Sequence, residues 1–346
     1  MSTTAAFLLM AAMTVYAVFG GADFGAGFWD LVAGGTRRGE RPRAVIDSSI
    51  APVWEANHVW LVFCFVVLWT CFPDAYASIT LTFFVPLTLA AFGIVLRGAS
   101  FAFRKAVLRT NQRRAFGAVF AISSVVVPYC LGAVLGGIAS GRVPAGGEAG
   151  DPWHSWVNPT SVVVGVLAVC VAAYLASVYL VWDAQRLGEG EMVTYFRRRA
   201  VGAAVVTGGV AAVGIIVIHG DSDRVFHGLM TRALPLVLLS GVAGVTALWL
   251  LRHRPRRGAR PAAMIAVASL MVAWGVAQWD YLIPESLTVS DAAAPSGTIG
   301  AVLVAAGLAV LIIVPAFVLL YVLDQRSLLP EESVPEPSRA HGSTPG

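Results

Sequence analysis

The chain has 346 residues, of which 57% are hydrophobic and only 13% are charged. Soluble domains have about 45–50% apolar and about 25% charged residues, so this composition excludes an ordinary soluble enzyme. The formal net charge of +4 does not indicate a nucleic-acid partner, because the charges fall in short clusters between long apolar runs. That distribution is typical of membrane topology signals.

Nine long apolar runs predict an all-α, polytopic integral membrane protein with about nine transmembrane helices. A run of about 18 or more apolar residues can cross the hydrocarbon core as a helix. Barrel strands are much shorter, and lipid admits no other spanning structure. The first run has no basic segment before it, so we expect it to be a retained helix and not a signal peptide. The predicted spans are 5–29, 50–72, 78–103, 115–139, 159–183, 200–219, 233–251, 262–283 and 299–323.

The positions of Lys and Arg predict the orientation of these spans. Twenty of the 24 basic residues lie in alternate loops and the C-terminal tail, whereas only Arg142, Arg224 and Arg232 lie on the opposite side. The positive-inside rule therefore places the N-terminus outside and the C-terminus in the cytoplasm. We divide the chain into a transmembrane domain, 1–325, and a polar tail, 326–346, which we expect to be disordered.

Ionisable residues inside spans are costly and are functional candidates, and the first three spans contain most of them. Asp23, Glu55 and Arg97 each lie about five or six residues from the predicted inner helix end. At about 1.5 Å per residue this is a depth of about 8–9 Å. His58 lies one turn deeper, on the same helix face as Glu55. We therefore expect these four side chains to lie at a similar level near the cytoplasmic face.

Two interpretations of this group are open. In the structural one, Arg97 forms an ion pair with Asp23 or Glu55 and holds the helices together. In the functional one, the group is a proton inlet from the cytoplasm, since a buried carboxylate beside a histidine can take up and pass protons. We favour the second, because two carboxylates and a histidine exceed what one arginine needs.

Other ionisable residues are weaker candidates. Asp183 and Asp324 lie at predicted inner helix ends, where they can be solvated caps. Asp280 has aromatic neighbours typical of an interfacial belt, and His219 lies at the predicted outer edge. Only His58 lies well inside a span, so we expect this chain to hold no haem by itself. The four cysteines form no C-x-x-C motif, and we predict no metal site.

Several segments resemble subunit II of cytochrome bd-type quinol oxidases. They are the glycine-rich run 21–27 (GADFGAG), the run 50–61 (IAPVWEANHVWL), the segment 97–104 and the segment 281–288. The second run is the most specific of them. The likeness spans most of the chain and agrees with the predicted helix number and orientation.

The resemblance implies a non-haem subunit of a quinol:O2 oxidoreductase in the bacterial cytoplasmic membrane. Such a complex oxidises menaquinol or ubiquinol at the outer face and reduces O2 to water. Haems b and d are implied in the partner, subunit I, against which this chain packs in the bilayer. The resemblance also allows a small accessory subunit and a bound quinone. No nucleic-acid partner is expected.

The resemblance also implies roles for individual residues. Asp23 and Glu55 match acids of the family's cytoplasmic proton path, and we expect His58 to act with them in proton uptake. We expect structural roles for the remaining polar and aromatic residues of these motifs, which are Arg97, Trp54, Asn57 and Trp60.

The chain departs from the family pattern at three places. Gly20 stands where an acid often precedes Asp23 by three residues. Glu55 and Ala56 stand where Asp followed by Gly is common, and Ala102 replaces an acid that is common between two aromatic residues. Asp23 and Glu55 are then the remaining acids of the predicted inlet.

The residues alone leave two other function classes open. A secondary transporter would have its site on broken helices near the midplane, but few spans here are interrupted by Gly or Pro at mid-depth. A b-type cytochrome would need two histidines at matching depth, which the histidine positions do not favour.

Overall fold

The computed structural model describes residues 1–50, 54–106, 110–253 and 258–325. Within its helices, the side chains of some residues, including Trp54 and Glu55, are outside this description. The described part contains twelve α-helices and one β-hairpin. In chain order these are α1 (Ser2–Leu31), α2 (Thr36–Ile50), α3 (Trp54–Cys71), α4 (Pro73–Thr82), α5 (Phe84–Ala106), α6 (Thr110–Ala139), α7 (Pro159–Arg186), α8 (Gly190–Asp221), α9 (Asp223–Met230), α10 (Leu234–His253), α11 (Ala259–Ala277), β1 (Tyr281–Ile283), β2 (Leu287–Thr288) and α12 (Ser296–Gln325).

The predicted all-α, polytopic membrane architecture is confirmed. Eight helices of the described residues are long and apolar enough to cross a membrane. The shorter apolar stretch Asn57–Cys71, in α3, corresponds to the second predicted span. The total of nine spans and the direction of the chain across the bilayer stay predictions. The tail 326–346 lies outside the described residues, so its disorder stays a prediction as well.

The third predicted span, 78–103, is wrong at its start. The structure has a short helix, α4, that ends at Thr82, and α5 begins at Phe84. Pro86 explains the break, because it has no N–H to donate to the carbonyl of Thr82 and its ring would collide with that carbonyl. The polypeptide therefore begins a new helix instead of continuing the first.

The eighth predicted span, 262–283, is wrong at its end. Helix α11 ends at Ala277, and the chain then forms the antiparallel hairpin of β1 and β2. Pro284 favours an extended backbone at Ile283, which precedes it. Glu285 adopts a positive φ of 67° in the turn between the strands.

Two helices lie in segments that the sequence analysis treated as loops. Helix α2 is amphipathic: Val45 and Ile46 are buried in the core, whereas Arg38 and Arg41 are exposed. Because α2 contains many charged residues, a search for long apolar runs does not detect this helix. Helix α9 buries Gly228 against α11, where an added Cβ would lie 2.0 Å from the carbonyl oxygen of Ala277.

Helix α1 is central to the first of two compact units, Met1–Ile299, where it contacts α2, α3, α6, α7 and α11. Glycines permit these contacts. A Cβ added at Gly25 would lie 1.8 Å from the carbonyl oxygen of Ala172 in α7, and one added at Gly27 would lie 2.1 Å from Oγ of Ser124 in α6. The close helix approach expected around Asp23 is therefore present.

Contacts between connecting segments agree with the predicted alternation of sides. Arg41 in α2 forms an ion pair with Glu189, which directly precedes α8. At the other end of α8, Asp221 forms an ion pair with Arg142, which follows α6. The segment that joins α1 to α3 and the one that joins α7 to α8 are therefore on the same side.

The second unit, Gly300–Gly346, is described as far as Gln325, as the continuation of α12. Pro315 lies inside this helix. Helices in membranes tolerate internal prolines, because neighbouring groups satisfy the carbonyl that is released.

Candidate functional site

Asp23 of α1 and Arg97 of α5 form a bidentate ion pair in the interior of the first unit. Nη1 of Arg97 donates to Oδ2 of Asp23 at 2.9 Å, and Nη2 donates to Oδ1 at 2.9 Å. Nη2 also donates to the backbone carbonyl of Asp23 at 3.0 Å. The side chains are 1% exposed for Arg97 and 2% for Asp23. The pair is therefore a water-excluded, charge-assisted contact that joins α1 to α5.

Three further side chains surround the guanidinium of Arg97. Its Nε donates to Oγ of Ser124 in α6 at 3.0 Å. Its carbon Cζ lies 4.7 Å from the ring centroid of Phe120 and 5.1 Å from that of Phe24. Aromatic faces attract a cation, especially where water is excluded. Arg97 therefore connects α1, α5 and α6 at one buried point.

His58 lies next to this pair, on α3. Its ring centroid is 5.7 Å from that of Phe24, the residue after Asp23. Its Nδ1 is buried and has no hydrogen-bond partner among the described residues. The structure thus brings Asp23, His58 and Arg97 together, as the depth estimate predicted.

The other predicted motif residues are described less completely. The backbone of Glu55 and Trp54 opens α3, but their side chains lie outside the described part of the structure. Asn57 is buried. Trp60 is half-buried, and its ring packs edge-on against Phe63 with centroids 6.4 Å apart. The predicted place of Glu55 beside Asp23 and His58 therefore stays a prediction.

Sequence reasoning missed a second buried acid on α1. Asp30 is 4% exposed, and its Oδ1 accepts a hydrogen bond from Nε of Arg43 at 2.6 Å. Because the predicted first span ended at residue 29, Asp30 was placed outside the membrane. Its spacing of seven residues from Asp23 puts both acids on one face of α1, and helical periodicity could have revealed this.

The opposite end of the helices has its own ion pair. Arg142 donates to both carboxylate oxygens of Asp221, at 3.0 and 2.6 Å, and Oγ1 of Thr160 donates to Oδ2 of Asp221 at 2.6 Å. The hydrogen bonds to Asp221 raise the pKa of Arg142. In the adjoining loop, Asp151 accepts hydrogen bonds from the backbone N–H groups of His154 and Trp153, which lower its pKa to about 2. This network joins α6, α7 and α8.

The weaker candidates show no arrangement for chemistry. Asp280 is exposed in the turn before β1, and His219 is exposed at the end of α8, where it lies against Phe226. Asp183 is half-buried near the end of α7 and does have an interaction partner. The side chain of Asp324 lies outside the described part.

A largely apolar cavity of about 420 Å³ lies among α1, α3, α6, α7 and α11. Met13, Leu61 and Val171 are among the residues that line it. Three polar atoms of lining residues are buried without a hydrogen-bond partner in the described part. They are the hydroxyl of Tyr16, Nε1 of Trp274 and Oε1 of Gln278.

Among the described residues, no group of three or more His, Cys, Asp or Glu side chains could hold a metal ion. The four cysteines are free thiols, two of them buried and two half-buried.

Comparison with known proteins identifies the family of this chain. The model of the family "Cytochrome bd terminal oxidase subunit II" matches residues 1–324, which is almost the whole length. The chain belongs to this family. The resemblance inferred from the motifs around Asp23, Glu55 and Arg97 is therefore confirmed for the chain as a whole.

Two curated members of the cytochrome bd subunit II family illustrate how far the chain has diverged. It is 28% identical over 223 residues to cytochrome bd-I ubiquinol oxidase subunit 2 of Escherichia coli, with 62% of this chain and 56% of that protein aligned. It is also 28% identical over 163 residues to cytochrome bd ubiquinol oxidase subunit 2 of Bacillus subtilis, covering 46% and 47% of the two chains. The aligned part spans about half the length of these relatives.

A solved structure supports the fold over a longer range. A chain in the structure of bd oxidase from Geobacillus thermodenitrificans superposes with a TM-score of 0.79. The match covers 95% of this chain and 99% of that chain, at 24% sequence identity. The two chains thus share their fold although their sequence identity is low.

Proposed function

We propose that this chain is the non-haem subunit II of a bacterial terminal oxidase that oxidises membrane quinol and reduces O2 to water. Support comes from the family match over residues 1–324 and from the buried polar group built by the family's motifs. In this proposal the chain lies in the cytoplasmic membrane and packs against a haem-bearing subunit I. Menaquinol or ubiquinol is the reductant, and a small accessory subunit is a further partner.

The proposal places haems b and d in subunit I, where they supply the electron transfer and the O2 chemistry. Among the described histidines of this chain, His219 and His253 are exposed at helix ends, and His154 and His227 are exposed outside the spans. Of the histidines in the described ranges, His58 alone lies in an interface between helices, and a bis-histidine site needs two such residues. This chain contributes protein scaffold and proton chemistry instead.

The proton role rests on the group around Asp23. Quinol oxidation releases protons outside, whereas water formation consumes protons, which in this proposal enter from the cytoplasm. Glu55 is the entry acid, and His58 accepts a proton at its buried Nδ1, which is free for such a bond in the described part. Arg97 holds Asp23 in place next to His58, so the carboxylate keeps a constant position while the imidazole takes up and releases the proton.

The first experiment tests the oxidase assignment. The complex is captured in detergent through a tag on this chain, and a reduced-minus-oxidised absorption spectrum is recorded. We expect a band in the red that is typical of haem d, together with a second membrane polypeptide. A colourless preparation that transports a solute in proteoliposomes would instead support the secondary-transporter alternative.

The second experiment tests proton uptake. Glu55→Gln removes the entry acid with little change in volume, so turnover should fall at least tenfold while the haem spectrum is unchanged. Glu191→Gln is the matched control, because Glu191 is 74% exposed and pairs with Arg41 at the surface. Full turnover in Glu55→Gln would rule out the assigned role of Glu55.

A bound quinone is a second candidate role for this chain. Its support is the cavity of about 420 Å³, whose apolar walls suit an isoprenoid tail. The unpartnered hydroxyl of Tyr16 and Nε1 of Trp274 can donate to a ring oxygen, and Oε1 of Gln278 can accept from a quinol hydroxyl. Ala17 lines the cavity, whereas Ala11 is exposed on the same helix and does not. Ala17→Phe should lower the quinone extracted per purified complex, and Ala11→Phe should not. Equal quinone in both variants would remove this candidate.

A further inference from the structure

The hydroxyl of Ser124 is the acceptor that fixes the guanidinium of Arg97. Ser124 is 1% exposed on α6. Its Oγ accepts from Nε of Arg97 at 3.0 Å and donates to the carbonyl of Phe120, one turn earlier, at 2.7 Å. The hydroxyl proton is therefore committed to the helix backbone, and its lone pairs face Arg97.

Helix α1 packs closely against this hydroxyl. A Cβ added at Gly27 would lie 2.1 Å from Oγ of Ser124 and 2.4 Å from its Cβ. The absence of a side chain at Gly27 thus allows α1 and α6 to enclose the serine.

The position of Nε determines what the other end of the guanidinium can do. The group is planar and its donors form a rigid fork, so fixing Nε also fixes the direction of Nη1 and Nη2. Both then face the carboxylate of Asp23 at 2.9 Å. The rings of Phe24 and Phe120 offer no hydrogen-bond acceptor that could hold Nε in place of Ser124.

We infer that Ser124 is a positioning residue that keeps Arg97 bidentate on Asp23 and so keeps Asp23 ionised beside His58. This inference deepens the proposed proton-uptake function and rests on it. The other titratable side chains close to this pair in the described part are Tyr16 on α1 and His58 on α3. Neither replaces the contact that Ser124 makes, because the hydroxyl of Tyr16 and Nδ1 of His58 have no hydrogen-bond partner among the described residues.

The test compares Ser124→Ala with Ser123→Ala in the whole purified complex. Ser123 is also buried on α6, but its hydroxyl bonds only the carbonyl of Val119 among the described residues. Infrared spectroscopy then reports protonated carboxyl groups, and an Asp23→Asn background assigns the band. We expect Ser124→Ala to gain an Asp23 carboxyl band that wild type and Ser123→Ala lack. Turnover of Ser124→Ala should fall about tenfold, as expected when a buried charged donor loses its acceptor.

A second variant covers the case in which Ser124→Ala fails to assemble. Ser124→Cys keeps the shape of the side chain but offers only a weak acceptor. It should show the same carboxyl band at lower intensity. A complex in which neither variant gains the band would overturn the positioning role, whatever the turnover.

The infrared and kinetic results separate the two proposals. If Glu55→Gln and Asp23→Asn both keep full turnover while Ser124→Ala gains the band, proton uptake through this group is wrong and the positioning role stands. If Asp23→Asn loses turnover while Ser124→Ala and Ser124→Cys show no band, the proton path stands and Ser124 has only a packing role.

Discussion

Two arginines of this chain form ion pairs in opposite surroundings. Arg97 and Asp23 have side chains that are 1% and 2% exposed, and every contact is between spans. Arg41 is 56% exposed and reaches Glu189 and Glu191, which are 42% and 74% exposed. Water solvates Arg41 and its two glutamates whether or not the ion pairs form. Lipid offers no such replacement for the charges of Arg97 and Asp23.

The difference shows what each pair can specify. A surface pair can be lost with little effect, because water replaces the missing partner. The buried pair is costly to create and more costly to break, because removal of one charge leaves the other without compensation. Arg97 and Asp23 therefore specify how α1, α5 and α6 fit together, and any proton chemistry is built on that fixed arrangement.

The largest effect is expected from removal of one buried charge. Arg97→Leu leaves Asp23 unpaired between apolar helices, at a cost of about 3–5 kcal/mol. We expect a large loss of assembled complex, measured by size-exclusion chromatography and thermal unfolding in detergent. The double variant Asp23→Leu with Arg97→Leu should recover much of the assembly, because it removes both charges. A stable Arg97→Leu single variant would contradict an ionised Asp23.

The two pairs also differ in how well the sequence predicted them. Charged residues inside long apolar runs are easy to recognise, and the helical rise of about 1.5 Å per residue gives their depth. Asp23, Arg97 and His58 could therefore be grouped from the sequence alone. Rotation about the helix axis was less certain, which left Asp23 and Glu55 as equal partners for Arg97. The close packing of α1 on α7 at Gly25 and on α6 at Gly27 determines which face of α1 meets these helices.

Other features carried no sequence signal of sufficient strength. Ser124 is one of several serines in an apolar run, and its role depends on the absence of a side chain at Gly27, 97 positions earlier in the chain. Helix α2 has a short amphipathic pattern that a search for long apolar runs does not detect. The break before α5 did have a signal, because a proline within a predicted span often ends a helix.

An intermediate effect is expected at the opposite end of the helices. Asp221 is 16% exposed and accepts hydrogen bonds from Arg142 and Thr160. Asp221→Ala removes this acceptor, and water replaces it only in part. We expect a loss of about 1–3 kcal/mol, seen as a lower Tm of the complex with little change in turnover. Asp223→Ala is the control, since Asp223 is 71% exposed and pairs with His227. Equal Tm values for the two variants would show that the Arg142 network is not structural.

The smallest effect is expected at Arg41, although this residue has two acidic partners. Hydrogen bonds to Glu189 and Glu191 raise the pKa of Arg41, yet the guanidinium is charged at any physiological pH with or without them. Arg41→Ala should leave the Tm unchanged within error, at low and at high salt. Arg43→Ala is the variant to compare with it. Arg43 lies two residues after Arg41 in α2, but its partner Asp30 is buried. A lower Tm for Arg43→Ala alone would show that burial of the acid, and not the number of ion pairs, determines how firmly α2 is held. A salt-dependent loss for Arg41→Ala would mean that α2 docks through its surface charges instead.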